Sequence, residues 1–419
     1  MRLIDSRVIL GLAVILLTVV LIGSYGPLAS EAPTDTSANP DASNIEDESL
    51  LDSTVEASNR FAFELYNRYS LGNGNILYSP YSISTALSMV YEGAGGETAD
   101  EMADVFHFIE EPSSRREEMA RLYGSLNGAS REYELHTANA LWMQEDYPIL
   151  EDYIDTIMSY YGGEANSLDF GASEEARLTI NSWVEEETND RIKDLFPPDS
   201  ISPEAVLVLT NAIYFKDEWL TEFNEADTSR DTFNVAPMES VEVDMMSLKG
   251  MRFNYTKTDE LQVLELPYTG GDVSMTLILP NKDNIAEVES NLSYDEFNAL
   301  TQGMEESLVD VYLPRFKLET KYFMREDLIE MGMPLAFTPC ANLTGISEEG
   351  GLYIDKVIHQ AFIEVDEKGT EAAAATGVVI RKSSVDTTDV FRADHPFIFV
   401  LQDRVTGAIL FMGRVTTPK

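Results

Sequence analysis

Apolar and polar positions alternate in several distinct rhythms along the chain, and each rhythm predicts an element. Phe61, Phe63, Leu65 and Tyr66 predict a helix over Asn59–Tyr69. Ile76–Tyr78 is short and wholly apolar, a buried strand, and Pro80 breaks it. From Ser82 a helix is expected that Gly93, Gly95 and Gly96 terminate, with Ser82 as a candidate cap. Ala138–Phe170 reads as strand, helix, strand. Asn181–Phe196 reads as an amphipathic helix burying Ile180, Trp183, Val184, Ile192 and Leu195.

Val206–Phe215, VLVLTNAIYF, is an almost unbroken apolar run, as a central strand covered on both faces should be. Asn211 interrupts it, and a buried asparagine requires polar neighbours. Val263–Pro280 predicts a hairpin around Thr269–Asp272. Val309–Leu318 predicts a strand, Tyr322–Met331 a helix, and Tyr353–Glu367 a long strand carrying His359. Phe397–Leu401 and Ile409–Val415 close the chain as a hairpin around Thr406–Gly407. No repeat runs through these elements, and strands mixed with helices give an α+β class.

The long strand leads into FIEVDEKGTEAAAATGVVIRKSS, Phe362–Ser384. Ile363 and Val365 alternate with Glu364 and Asp366 until Gly369 breaks the pattern. Two readings fit the residues beyond Gly369. Thr370 can cap a short alanine helix ended by Gly377, although seven residues without an apolar stripe hold a helix poorly. As a strand, Thr370, Ala372, Ala374, Thr376 and Val378 share one face of small side chains, narrow enough to slide between two existing strands.

Before the folded part, Arg2 and Arg7 precede an apolar run, Val8–Ile22, in the order of a secretory signal. Ala29 and Ser30 offer a cleavage site that Pro27 makes imperfect, so residues 1–30 read as a signal peptide or an uncleaved anchor. Either one places the remainder outside the cytoplasm, secreted or tethered to the outer face of the membrane. Residues 31–54 are acidic and contain no basic residue, an expected solvated linker, with folded sequence from about Val55.

Composition then narrows the function. The chain has 419 residues, 44% hydrophobic, enough for one large domain or two ordinary ones. Its formal charge of −44 argues against nucleic acid, whose phosphates would repel it; the plain reading of the acidity is surface solvation. One cysteine, Cys340, permits neither an internal disulfide nor a cysteine-based zinc site. His107, His136, His359 and His395 fall in no metal-ligand spacing, and neither a phosphate loop nor a nucleophile elbow is present. No cofactor or metal is expected, and an enzyme is the weakest reading. Asn254, Asn291 and Asn342 stand in glycosylation sequons.

The run Glu367-Lys-Gly-Thr-Glu, four alanines and a threonine resembles the hinge and reactive loop of the serpins, the serine protease inhibitor family. The block NILYSPYSISTALSMVYEGAGGET, Asn75–Thr98, and the segment from Val206 through Phe233 resemble the same family, and the likeness spans Val55–Lys419. It implies a fold of three β-sheets with eight to nine helices and an exposed loop at about 367–391. It also implies a monomer that inhibits serine endopeptidases irreversibly, by inserting the cleaved loop into the main sheet. Loop insertion in this family is a standard instance of strand addition and of strain release.

By that resemblance the hinge comprises Glu367, Gly369, Thr370, Glu371, Ala372, Ala373, Ala374, Ala375 and Thr376. Ser79, Ser82, Asn211 and His359 match the polar cluster beneath the opening sheet, and Trp219 the residue where insertion begins. The commonest hinge length places the scissile bond at Ser383–Ser384; shorter hinges place it at Lys382–Ser383 or Arg381–Lys382. Ser383 suits an elastase- or subtilisin-like enzyme, and Lys382 or Arg381 a trypsin-like one. A non-inhibitory relative acting as chaperone, carrier or surface-tethered binding protein is the alternative.

Overall fold

Leu207–Glu218, the apolar run predicted as a central strand, pairs along most of its length on both sides. In the computed structural model, which describes residues 42–128, 131–281, 284–370 and 388–418, it runs antiparallel to Glu134–Gln144. Its other neighbour, Lys356–Val365, is parallel, with Lys356–Phe362 opposite Val208–Tyr214. Phe316–Phe323 and Glu164–Leu168 form the outer strands of this six-stranded sheet. All of the first nine residues of the central strand are buried, at most 2% exposed, because the sheet is covered on both faces. Ser173–Glu187 packs Ile180 and Val184 on one face with Tyr214 and Phe362, while Pro80–Tyr91 underlies the other.

The other strands form a nine-stranded ladder. It falls into two groups joined only where Tyr255–Lys257, the end of the long strand Glu239–Lys257, pairs Gln262–Leu264. Counted at that narrow splice, the molecule has the three sheets the resemblance implies. Nine α-helices occur among the described residues, and the architecture is α+β as expected. No helix among these residues is long and apolar enough to cross a membrane, and the leader lies outside them.

Several boundaries differ from expectation for identifiable reasons. The helix expected from Asn59 runs over Ala42–Ser70, so helix begins inside the segment read as linker and the compact body starts at Asn44. Pro40 is the last breaker before it. The helix expected over Asn181–Phe196 is instead Ser173–Glu187. Beyond it Asn189, Asp190 and Asp194 take positive φ, and Asn181 closes the turn by donating to Phe196 O at 2.9 Å and accepting from Phe196 N at 2.8 Å. Ile192 and Leu195 are buried as expected, but from that turn.

The strand expected over Val309–Leu318 divides at Arg315 into Glu305–Pro314 and Phe316–Phe323, which belong to different sheets. The second continues through Tyr322, so the following helix is confined to Arg325–Met331.

Candidate functional site

The hinge begins as a turn that the sequence builds locally. After Val365 the Asp366 carboxylate accepts from the amides of Lys368, 2.9 Å, and Gly369, 3.3 Å, while Asp366 N donates to Gly369 O. The chain reverses, and Gly369–Thr370 enters the six-stranded sheet. Thr370 pairs Val365 on one side and Asp217 on the other; Gly369 pairs Glu218, and every one of these pairings is antiparallel. The two hinge residues therefore occupy a gap between the strands Lys356–Val365 and Leu207–Glu218. Below them those strands pair directly, from Phe362 and Tyr214 downward.

Gly369 has no substitute here. Its φ is +155°, and a Cβ would stand 2.2 Å from Asp217 O. Thr370 is fully buried, its Oγ1 2.7 Å from the Tyr268 hydroxyl. Trp219 roofs the gap: its backbone N–H donates to Lys368 O at 2.6 Å and its indole N–H to Asp366 O at 3.0 Å. Its ring stacks on Tyr268 with centroids 4.3 Å apart. Glu367 is gripped by Arg315, whose Nε and Nη2 lie 2.7 Å from its carboxylate, and by the Thr228 hydroxyl. Burial opposes its charge, yet the hydrogen bonds from Arg315 and Thr228 outweigh it and hold the carboxyl below the usual range.

Seven paired residues of the direct parallel ladder lie beneath the hinge, and a polar cluster sits at their middle. Ser79 Oγ accepts from Ser82 N at 3.2 Å and caps Pro80–Tyr91; the cap is Ser79, not Ser82. Ser82 instead turns its hydroxyl inward, where Asn211 Nδ2 donates to it at 2.6 Å and it donates to Asn139 Oδ1 at 3.1 Å. His359 Nε2 accepts from Ser79 N at 3.0 Å, which leaves the proton on Nδ1 to be donated to Asn211 Oδ1. Burial alone pushes this imidazole down to about 3, so it is neutral.

The structure thus brings together Ser79, Ser82, Asn211 and His359 as one cluster, with Trp219, Glu367, Gly369 and Thr370 above it. Glu371, Ala372, Ala373, Ala374, Ala375 and Thr376 lie outside the described residues, as do Arg381, Lys382, Ser383 and Ser384. Sequence reasoning missed five participants, Thr228 on Glu367 among them. Asn139 faces Asn211 across two strands, and its signal was available: it interrupts an apolar strand, ANALWM, just as Asn211 interrupts NAIYF. Tyr268, Arg315 and Asp217 gave none, because each reaches the site from a distant stretch of chain. No group of three or more metal-ligating side chains occurs among the described residues.

Comparison with known proteins agrees with this geometry. The family model described as Serpin (serine protease inhibitor) matches residues 56–418. A serpin-like protein of the archaeon Methanosarcina mazei is 42% identical over 375 residues, 87% of each chain. The crystal structure of Serpin48 from the insect Tenebrio molitor, a highly specific serpin, superposes with a TM-score of 0.79 at 31% identity, over 90% of this chain and 100% of that one. Human thyroxine-binding globulin, complexed with its hormone, superposes at 0.82 with 28% identity, over 88% of this chain and 100% of that one.

Proposed function

Because the chain belongs to the serpin family, whose members are generally protease inhibitors rather than enzymes, we propose that it is an irreversible suicide inhibitor of serine endopeptidases. A protease serine Oγ attacks the loop carbonyl at Ser383–Ser384, the amine of the downstream peptide leaves with a proton, and an acyl ester joins the two proteins. The freed strand then continues downward from Thr370, parting Lys356–Phe362 from Val208–Tyr214 and carrying the protease with it. One parallel ladder is exchanged for two antiparallel ones. About a dozen inserted residues, at roughly 1 kcal/mol net per ladder hydrogen bond, gain on the order of 10 kcal/mol, comparable with the whole stability of a domain. The acyl-enzyme is stalled because its oxyanion hole tolerates little displacement. The intact inhibitor is a kinetically trapped state.

One observation carries this reading: Gly369–Thr370 already stands between the two strands to be parted, with Thr370 presenting an uncharged side chain to the interior. A charged residue there would oppose entry by several kcal/mol. The leader Val8–Ile22 supports action outside the cytoplasm, secreted or tethered. Incubation with trypsin, elastase and subtilisin tests the proposal: an SDS-stable complex, with a released peptide beginning at Ser384, is expected with the elastase- or subtilisin-like enzyme. A peptide beginning at Ser383 moves the bond to Lys382–Ser383. Absence of a complex with any of them overturns inhibition.

The hormone-bound relative favours a carrier as the second reading. Melting curves separate the two. Cleavage in the loop raises the unfolding temperature sharply if the hinge becomes a central strand, and leaves it unchanged in a carrier that does not insert.

A further inference from the structure

Asp217 ends the central strand with its carboxyl pointed into the protein. Strand alternation places it on the same face as Asn211 and Phe215, and it is only 6% exposed. One oxygen accepts from Glu218 N at 2.8 Å; the other, Oδ2, has no hydrogen-bond partner among the described residues. Its backbone partner across the sheet is Thr370. A buried polar atom left unpaired in a strand this regular calls for an explanation.

The surrounding charge does not compensate it. Glu218 follows on its own strand; Glu132 and Asp272 approach from the segments before Glu134–Gln144 and before Val273–Pro280. Arg131, the nearest cation on those segments, is committed to Asp272 at 2.9 Å and Asp403 at 3.4 Å. Tyr268 faces the site with its hydroxyl on Thr370. The hinge turn brings Asp366, whose carboxylate binds two amides, Glu367, held by Arg315, and Lys368, half-buried. Burial above all, with Glu132, Glu218 and Asp272 adding to it, pushes the Asp217 carboxyl up to about 7.

We propose that Asp217 is a positioning residue that couples its own proton to the docking of the hinge: the neutral carboxyl keeps Gly369–Thr370 in the sheet, and the ionised carboxylate releases them to gain water. The contacts decide which element yields. The strand carrying Asp217 is held by ten paired residues on one side and seven on the other, whereas the hinge is held to it by two. Release of the hinge is therefore the least costly way to hydrate the charge. Its bearing on protease trapping rests on the inhibitory reading above; the docking equilibrium itself does not.

Trp219 reports docking without any protease, since its indole binds Asp366 O and stacks on Tyr268. The experiment tracks its emission, after subtraction of the Trp219→Phe spectrum, from about pH 5.5 to about pH 9. The wild-type chain is expected to shift to the red with a midpoint near neutrality, and Asp217→Asn and Asp217→Ser to remain flat. A wild-type chain with no transition, or either folded variant keeping it, overturns the proposal. SDS-stable complexes scored on the same samples separate the two readings: a transition without complexes removes inhibition and leaves the coupling standing.

Discussion

His359 and Asn211 face each other at the midpoint of the parallel ladder, the imidazole Nδ1–H donating to the Asn211 side-chain oxygen. His359 Nε2 accepts from Ser79 N at the helix cap, and Asn211 Nδ2 donates to Ser82 Oγ within that helix and to Asn139 Oδ1. Under the inhibitory reading proposed above, these two strands are the pair that a loop entering below Thr370 separates. The contact thus stabilises the arrangement described and, under that reading, is also the one that insertion exchanges.

Acid should reduce what that contact contributes to stability. The folded pKa of His359, about 3, lies below its ordinary value of 6.5, so the unfolded chain takes up its proton first. The contribution is fully present above about pH 6.5 and falls progressively as pH drops toward 3, by several kcal/mol in total. Urea unfolding of the wild type and of His359→Gln at pH 7 and pH 5 checks this. The wild type is the more stable at pH 7, and the gap narrows at pH 5.

Under the inhibitory reading, Thr370→Arg should convert the chain from inhibitor to substrate. The residue is fully buried against Tyr268, and an arginine there has no partner for its charge, a cost of several kcal/mol. Gel analysis with the cognate protease reads the outcome as loop cleavage at an unchanged rate with the SDS-stable complex lost. Inhibition at unchanged stoichiometry would exclude insertion.

Gly369→Ala should undock the hinge while leaving the sheet intact. The added carbon meets Asp217 O at 2.2 Å and Glu218 Cα at 2.6 Å, both backbone atoms that cannot give way. The positive φ adds roughly 1 kcal/mol of strain. Trp219 emission shifts to the red at every pH, with the urea midpoint lowered only slightly.

Arg315→Met should leave the Glu367 carboxylate buried without its cation. The guanidinium is 44% exposed and the carboxylate 3%, so the loss is smaller than for a fully buried pair, about 1–3 kcal/mol. Denaturation at pH 7 measures it. Because the pairing lowers the Glu367 pKa, the difference from wild type shrinks as pH falls through the carboxylate range.

Periodicity alone made the α+β class, the central strand, the closing hairpin and some of the helices legible, because burial imposes the same spacing wherever a strand or helix meets a core. Gly369 and the small residues after it, on which the hinge reading rests, are a local property of the chain. Asn211 announced that it needed polar neighbours. Which neighbours it found was decided by register, since Asn139, Ser82 and His359 stand 72, 129 and 148 residues away. Arg315 read as an interior position of one strand, and only the fold made it the break between two sheets and the clamp on Glu367. Asp217 was one carboxylate among 73 acidic residues. Sequence records that it is acidic; only tertiary packing withholds water and a counter-charge from it, and that is what gives one side chain among many its effect on the hinge.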